Sequence, residues 1–323
     1  MLLKDNGETP RKLQNMHISH FPAMCLFHTS IDPSTNTLIV SYLPPAGSSS
    51  SVTPEEDTLE IPLEPSDLAV LEKIPVEMHQ SPTTAVNMGS KYNAWFSARF
   101  GFSVILAFWA GNPRPVLGNV PNKTYPPSPA NPMAARSLTS LPVMIKNILL
   151  RRPVDENDKI AFNDCAPYLI ISATSVDEVS TRLPPDTMMD ATKFRANIVV
   201  QGAREAYGED YWSELSFTTT TTTNNNNNNN TKSSNPKILL TSNCGRCASL
   251  NVDYTTGATS TSSERQVLKL LQRDRRIDLG TKYSPVFGRY GFISGPGCEG
   301  ATLSVGDAVA VTGKNEKRTR FCE

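Results

Sequence analysis

Short apolar runs, either alternating or rich in β-branched residues, follow one another along the N-terminal part of the chain. Clusters of turn-forming residues separate them, so each run predicts a strand. Residues 91–100 instead carry apolar side chains at helical spacing, with Trp95, Phe96 and Phe100 near one face, which predicts a helix. The strands predicted in this part span residues 1–3, 23–28, 37–42, 57–61, 74–79 and 104–110.

The part that starts near residue 138 combines further strand patterns with two helix signals. Residues 175–178 and 261–264 fit capping boxes, in which a hydroxyl and a carboxyl satisfy free backbone donors at a helix start. The helices predicted there run to about Arg182 and Gln272. Many short strands with a few helices predict a mainly β fold with some α, built as one or two β-barrels. The strands predicted in this part span residues 168–172, 197–200, 237–241, 248–252, 287–293 and 308–312.

Two segments have the composition of connections rather than of a packed core. Residues 111–137 are rich in Pro, Asn and Gly, which predicts a long surface loop joining two parts. Residues 218–230 are a Thr tract followed by an Asn tract. Such a tract lacks the apolar area that would offset its ordering entropy, so we expect a disordered insertion over residues 218–234.

Composition narrows the function classes. The chain has 323 residues, 38% of them hydrophobic, which is enough for a real core. Lys plus Arg and Asp plus Glu are equal at 31 each, which gives no general reason to expect nucleic acid or an anionic membrane as partner. From Lys232 onward 14 basic and 8 acidic residues occur, which suits an anionic ligand such as a phosphate, or equally a solvated surface. No apolar stretch reaches the roughly 18 residues needed to span a bilayer.

The cysteines point to a reducing compartment and to one informative motif. Six cysteines, mostly isolated, do not form a disulfide framework. Cys244-Gly245-Arg246-Cys247 is consistent with a redox dithiol, half of a zinc site, one thiolate on a soft metal, or two small buried side chains. Zinc is disfavoured because all four histidines lie in the N-terminal third. A thioredoxin-like motif is disfavoured because a strand, not a helix, is predicted after Cys247.

Seven sequence blocks in order change the weight of these alternatives. Together they resemble the MOSC domain, named from the C-terminal domain of molybdenum cofactor sulfurase, and more closely its amidoxime-reducing branch. The resemblance implies a MOSC-type β-barrel at residues 138–315, preceded by a partial N-terminal β-barrel domain at 1–110 and followed by a tail at 316–323. The blocks are residues 162–167, 194–200, 212–215, 244–247, 252–257, 283–290 and 304–307.

The resemblance implies a molybdenum–molybdopterin cofactor whose metal is bound by the catalytic Cys247. A thiolate is a soft donor suited to such a metal, and the neighbouring Arg246 would favour its deprotonated form. Arg195 would grip the phosphate in bidentate fashion, although a surface ion pair would also explain an arginine there. Loop capping is the alternative for Asp164, and core packing is the alternative for Tyr290. The residues that the resemblance places at the cofactor are Asp164, Cys165, Arg195, Asn197, Gly245, Arg246 and Tyr290.

The sequence also departs from the branch that it resembles. Members carry an early Pro-x-Lys-Ser segment and an Asp-Arg pair, and residues 1–4 resemble the stretch just after that pair. We therefore expect an N-terminally truncated chain that begins inside the first barrel. Cys165 and Ala166 stand where relatives tend to carry hydroxyl residues. The location is not predicted: it would be cytoplasmic, or at the mitochondrial outer membrane if an anchor has been lost.

The function that this resemblance implies is an oxidoreductase for small N-hydroxylated substrates. Its electrons would come from a partner protein of the cytochrome b5 type, and the protein would bind and orient the cofactor that carries the redox chemistry. One alternative is a non-catalytic module that carries the cofactor or a sulfur atom, and another is an inactive truncated paralogue. A complete sulfurase is disfavoured because the large pyridoxal phosphate domain of those enzymes has no counterpart in the sequence.

Overall fold

A computed structural model of the chain describes residues 1–8, 10–45, 57–78, 81–116, 119–120, 159–225, 228–262, 265–294 and 301–321, with residues 219–225 and 228–234 described by their backbone alone. Most of the predicted loop at 111–137, and part of the capping box predicted at 261–264, lie outside these residues. The chain divides into two units. The first unit comprises Met1–Arg114, Leu183–Asp186 and Arg246–Leu270, and the second comprises Pro115–Arg182, Thr187–Gly245 and Leu271–Glu323.

Two antiparallel sheets and one helix form the N-terminal part of the first unit. The five-stranded sheet has the order β2-β1-β8-β7-β6, and the three-stranded sheet has the order β3-β4-β5. In β6 every second side chain is buried, namely Ile74, Val76 and Met78, as alternation along a half-buried strand requires. The elements are β1 (Leu2–Asp5), β2 (Leu13–Asn15), β3 (Phe27–Asp32), β4 (Thr37–Tyr42), β5 (Thr58–Pro62), β6 (Lys73–Met78), β7 (Ser81–Asn87), α1 (Ser90–Phe100) and β8 (Val104–Trp109).

Aromatic side chains from α1 and β3 close the core of this part. Phe27 stacks on Phe100 with ring centroids 4.7 Å apart and meets Trp95 edge-on at 5.8 Å. Such pairs add to the stabilisation that burial alone provides. The helical spacing that predicted α1 therefore corresponds to the face that packs on the core, where Phe96 is 3% exposed.

The second unit is built around one seven-stranded sheet. Its order is β12-β11-β18-β15-β13-β14, and β19 also pairs with β13. Only the pairing of β11 with β12 is parallel among the described ladders of this sheet. From residue 114 onward, the elements are β9 (Arg114–Pro115), β10 (Lys159–Ile160), β11 (Tyr168–Ser172), α2 (Ala173–Thr181), β12 (Ile198–Val200), β13 (Trp212–Asn225), β14 (Asn228–Ser234), β15 (Lys237–Gly245), β16 (Val252–Asp253), β17 (Ala258–Thr259), α3 (Val267–Gln272), β18 (Val286–Ser294) and β19 (Ala308–Lys314).

Gly288 lets β18 approach β11 closely. Its φ is +82°, and a Cβ at this position would lie 2.7 Å from the carbonyl oxygen of Ile170 and from Cγ2 of Ile171. Glycine therefore suits this position for both its backbone conformation and its lack of a side chain. In the pairing of these two strands, Tyr290 lies opposite Leu169.

The prediction of a mainly β fold with some α is confirmed, and the differences are local. Residues 22–26 form a 3-10 helix because Pro22 occupies its first position, so the strand predicted at 23–28 begins only at Phe27. Residues 248–251 are also a 3-10 helix, where a strand was predicted at 248–252. The 3-10 helices whose bounds are described are Pro22–Leu26, Ala191–Phe194, Gly208–Tyr211, Ala248–Asn251 and Leu279–Thr281.

The capping box predicted at residues 175–178 is wrong. The N-cap of helix α2 is Ser172, three residues before Ser175, and no side chain caps the helix. The Ser175 hydroxyl donates to Glu209 at 2.8 Å and accepts from the backbone N–H of Tyr207 at 2.7 Å. The Ser175 hydroxyl therefore bonds to residues that are distant in sequence instead of capping the helix.

The Thr and Asn tract, for which the sequence predicts a disordered insertion, has a described strand backbone. It continues β13 and returns as β14, with pairing from Thr219 opposite Ser234 to Asn225 opposite Asn228. The first residues of β13 already pair with β15 and β19, so the tract extends an existing strand. Threonine is β-branched and favours the extended backbone, which explains why this hairpin forms despite its polar composition.

Candidate functional site

The two cysteines of the Cys-x-x-Cys segment have different surroundings. Cys244 lies near the end of β15 and is 2% exposed, packed with Ala166, Leu169 and Tyr290. Cys247 is exposed, and its Sγ lies 3.2 Å from the hydroxyl oxygen of Ser249. The first thiol is therefore part of a core, whereas the second is accessible to a ligand.

The segment crosses from one unit to the other between Gly245 and Arg246. Gly245 is exposed and pairs with Val286 at the end of β15. Arg246 is 8% exposed and belongs with Cys247 to the first unit. The strand thus ends between the buried cysteine and the exposed one.

Tyr290 joins three of the side chains that the sequence pattern singled out. Burial raises the pKa of the Tyr290 hydroxyl, and the nearby groups of Cys244, Cys165 and Asp164 raise it further. Tyr290 also forms a hydrogen bond with Cys244. The phenol therefore stays protonated and remains a hydrogen-bond donor at this end of the second unit's sheet.

Arg195 and Asn197 lie on the turn that leads into β12. Arg195 is exposed and ends the 3-10 helix Ala191–Phe194 with a left-handed φ of 54°. Asn197 accepts a hydrogen bond from the backbone N–H of Leu169 at 2.8 Å and donates its own N–H to the Leu169 carbonyl at 2.9 Å. Between them, Ala196 packs against the cluster that contains Cys165, Cys244 and Tyr290.

The second unit thus brings most of the proposed site residues to one region. Asp164 and Cys165 adjoin Tyr290, and Asn197 holds the backbone of Leu169, which is paired with Tyr290. Arg195 and Gly245 are chain neighbours of cluster members Ala196 and Cys244. Arg246 and Cys247 lie in the first unit.

A buried ionic network beside this region was not predicted. Asp210 is fully buried and accepts two hydrogen bonds from Arg275, at 2.7 and 3.0 Å. Arg318 adds a third at 3.0 Å, and Arg289 donates to the backbone carbonyl of Asp210 at 3.0 Å. Burial lowers the pKa of Arg289 to about 10, although Asp210 and Asp278 counteract this. Isolated charged letters in a sequence give no sign that they will be buried together.

Asp278 extends this network to the strand that carries Cys244. It is 1% exposed and accepts from the side chain of Asn243 at 2.8 Å, from the N–H of Gly280 at 2.7 Å and from the N–H of Phe321 at 3.1 Å. Asn243 in turn accepts from Arg289 at 2.8 Å. One carboxylate therefore fixes β15, the loop after Asp278 and the C-terminal segment with respect to each other.

Two further findings concern metals and membranes. Among the residues that the structure describes, no group of three or more His, Cys, Asp or Glu side chains is arranged to hold a metal ion. Within the same residues, none of the helices combines the length and the apolar character that crossing a bilayer requires.

Comparison with known proteins finds curated relatives that match slightly less than half of the chain. Mitochondrial amidoxime-reducing component 1 of Homo sapiens is 31% identical over 161 residues, which are 49% of this chain and 40% of the human protein. Mitochondrial amidoxime reducing component 2 of Bos taurus is 32% identical over 160 residues, 48% of this chain and 40% of the bovine protein. The component 1 protein of Danio rerio is 28% identical over 135 residues, 42% of this chain and 35% of that relative.

The comparisons match only part of the chain, and every residue proposed for the site lies within the part that matches a family model, residues 157–310. The alignments span less than half the length of these curated relatives. Residues 157–310 match the protein family described as the MOSC domain. The resemblance to the MOSC domain family that the sequence blocks indicate is thereby confirmed over residues 157–310.

Proposed function

We propose that this protein binds a molybdenum–molybdopterin cofactor through the thiolate of Cys247 and reduces N-hydroxylated compounds with electrons from a partner protein. The observation that carries the proposal is the exposed Cys247 thiol inside the MOSC-like region. The names of the relatives, which are amidoxime-reducing components, support the reaction class.

The side chains of this region fit such a cofactor in type. Cys247 offers one accessible soft donor, which suits a metal that is also held by the dithiolene sulfurs of a pterin. The Ser249 hydroxyl, 3.2 Å from Sγ, is able to donate a hydrogen bond to the thiolate. Arg195 is exposed, and its guanidinium suits a phosphate in bidentate fashion.

The other proposed residues have roles that do not depend on direct contact with the cofactor. Asn197 is engaged with the backbone of Leu169, so it positions the turn that carries Arg195. Tyr290 keeps its proton and offers a hydrogen-bond donor beside Asp164 and Cys165. When bound, the cofactor supplies two-electron redox chemistry, and the chain supplies the ligand, the orientation and the surrounding polarity.

Metal content tests the binding half of the proposal. The full chain is expressed in a host that makes the cofactor, and molybdenum per protein is measured for wild type, Cys247→Ala and Cys244→Ala. We expect Cys247→Ala to retain less than about a tenth of the wild-type molybdenum, because the thiolate is the only proposed protein ligand. Cys244→Ala should keep most of it. Cys25→Ala, which alters a half-buried cysteine of the first unit, is a further control.

Two results would contradict this assignment. Equal loss of metal from the Cys247 and Cys244 variants would indicate a shared or dithiol site. Wild-type protein without molybdenum from a host that loads a known molybdenum enzyme would favour an inactive paralogue. Thermal unfolding of each variant shows whether a loss of metal merely reflects a loss of fold.

Turnover tests the catalytic half. Benzamidoxime takes up two electrons and two protons to give benzamidine and water, and a chemically reduced dye supplies the electrons in place of the partner. We expect the metal-loaded wild type to form benzamidine and Cys247→Ala to form none above background. Metal-loaded protein that forms no product would instead support a carrier module. Reconstitution with cytochrome b5 and its reductase then tests the proposed class of electron donor.

A further inference from the structure

The loop Leu279–Ser284 of the second unit lines an open cavity of about 460 Å³. This volume lies within the range that pockets for small ligands occupy, about 300–1,000 Å³. Two large apolar side chains of the loop face solvent, because Leu279 is 75% exposed and Tyr283 is 74% exposed. Both side chains belong to the residues that line the cavity, so they are available to an apolar part of a ligand.

The cavity adjoins the end of the strand that leads into the Cys-x-x-Cys segment. Gly245 has no side chain, and a Cβ there would lie 3.3 Å from the Cβ of Ser284 and 3.9 Å from Oγ1 of Thr281. The cavity wall therefore packs directly on a residue of the tetrapeptide that contains the proposed metal ligand. A side chain at position 245 would press on Ser284, and glycine avoids that contact.

The loop is held in place before any ligand arrives. The buried carboxylate of Asp278 accepts from Gly280 N–H at 2.7 Å and from the Asn243 side chain at 2.8 Å. A Cβ on Gly280 would clash with the carbonyl oxygen of Phe321, so only glycine fits beneath the C-terminal segment. A preformed wall lowers the cost of ordering on binding.

The chemistry of the lining defines what it would hold. Tyr283 and Leu279 offer a flat aromatic ring and an aliphatic surface. Oγ1 of Thr281 is buried without a hydrogen-bond partner among the described residues, so it offers an unused polar contact. Lys282 is the one charged residue of Leu279–Ser284, with Nζ 4.8 Å from the centroid of the Tyr283 ring. A ligand with an aromatic ring, a hydrogen-bonding group and an anionic substituent matches the apolar surface, the Thr281 hydroxyl and the Lys282 charge respectively.

We propose that Leu279–Ser284 is the substrate subsite, that it selects aromatic N-hydroxylated substrates by packing their ring on Tyr283, and that Lys282 favours substrates that carry a carboxylate. This inference rests on the proposed function and adds to it a substrate class and two specificity-determining residues. It places the reducible group toward Gly245 and the substituent toward Lys282.

Steady-state kinetics of the metal-loaded full chain, with a reduced dye as donor, test the aromatic preference. For Tyr283→Ala we expect the KM of benzamidoxime to rise about 3- to 10-fold, the effect of losing one aromatic contact, with kcat nearly unchanged. The KM of acetamidoxime, which lacks a ring, should change less than about twofold. Tyr283→Phe should behave as wild type, because the ring remains.

A second pair of variants tests the charge. Lys282→Gln should raise the KM of para-carboxybenzamidoxime several-fold and leave that of unsubstituted benzamidoxime within about twofold. Lys91→Gln is the matched control, because Lys91 also lies over a neighbouring tyrosine, with Nζ 5.5 Å from the ring centroid of Tyr92, but in the first unit. Its KM values should equal those of wild type. Calorimetric titration with para-carboxybenzamidoxime gives a second readout that does not need turnover.

The outcomes separate this inference from the function on which it rests. If wild type turns over amidoximes but Tyr283→Ala changes the KM of both substrates equally or not at all, the subsite is wrong and the function stands. If wild type is inert yet binds the carboxylated compound, and both loop variants weaken binding, the subsite stands and the function fails. Inert wild type without binding overturns both. A KM change seen only for a protein electron donor would show that the loop docks that partner, which also overturns the subsite.

Discussion

Replacing Asp210 with asparagine removes the carboxylate that accepts from both Arg275 and Arg318 in the buried ionic network. The carboxylate is fully buried, and both of its oxygens accept from Arg275, whose side chain is 5% exposed. Asparagine keeps the shape but provides only one acceptor and turns an N–H₂ donor toward the guanidinium. The charge of Arg275 would therefore remain buried without its counter-ion.

The size of the effect follows from that burial. Removing one partner of a buried ion pair costs about 3–5 kcal/mol, because the remaining charge stays desolvated. For a domain of 150–250 residues each kcal/mol shifts the midpoint of thermal unfolding by about 2–4 °C. We therefore expect Asp210→Asn to lower Tm by roughly 6–20 °C.

The chain contains a matched control for this change. Asp274 also accepts two hydrogen bonds from one arginine, Arg182, at 2.7 and 2.9 Å, but its side chain is 56% exposed. An exposed pair of this kind contributes about 0–1 kcal/mol, so Asp274→Asn should lower Tm by less than about 4 °C. The two variants thus differ in the burial of the carboxylate and not in the chemistry of the substitution.

Differential scanning calorimetry of both variants is the assay. Equal Tm shifts for Asp210→Asn and Asp274→Asn would refute the reasoning, since burial would then make no difference. Arg275→Gln should resemble Asp210→Asn, and the double variant should lose less than the sum of the two, because both changes remove the same pair. Strict additivity would show that the pair contributes nothing beyond its separate members.

Two further predictions concern buried polar groups near the site. Burial raises the pKa of Glu209, although hydrogen bonds from Ser175 and Ser172 act to lower it. The stability that the protonated group contributes is therefore fully present below the ordinary carboxyl pKa and is lost as the pH rises through the raised pKa. Glu209→Gln should therefore gain stability relative to wild type as the pH rises above the ordinary carboxyl pKa, and guanidinium midpoints whose difference from wild type stays constant with pH would contradict this. Asn197→Ala should cost about 1–3 kcal/mol because the N–H of Leu169 loses its acceptor, whereas Asn197→Asp keeps one and should cost less; equal Tm losses in the two variants would exclude that role.

The sequence predicts elements well where burial and periodicity coincide. Strands at residues 37–42 and 168–172 have the bounds that their apolar patterns indicate. Helix α1 differs by one residue at its start, since its aromatic spacing reflects the face that packs on Phe27. In each case the side chains that carry the pattern are the ones that leave water, so local sequence contains the physical cause.

Prediction fails where a distant partner decides the outcome. The hydroxyl of Ser175 is used by Glu209 and by the backbone of Tyr207, both more than 30 residues away, so a local capping pattern was misleading. Arg275 lies in the charged run of residues 273–276, which is typical of a solvated surface, yet it is buried on Asp210. Such pairings depend on tertiary structure, and neither residue type nor spacing reveals them.

The Cys-x-x-Cys segment shows how the structure separates alternatives that its sequence leaves open. The reactivity of a thiolate and its ability to bind a ligand depend on its exposure. Here Cys244 is 2% exposed and hydrogen-bonded to a protonated Tyr290, whereas Cys247 is exposed beside Ser249. The buried thiol therefore has the surroundings of a core residue, whereas the exposed thiol is accessible to a ligand. This asymmetry favours chemistry at one sulfur, and it explains why Cys247→Ala should lose the metal whereas Cys244→Ala should keep most of it.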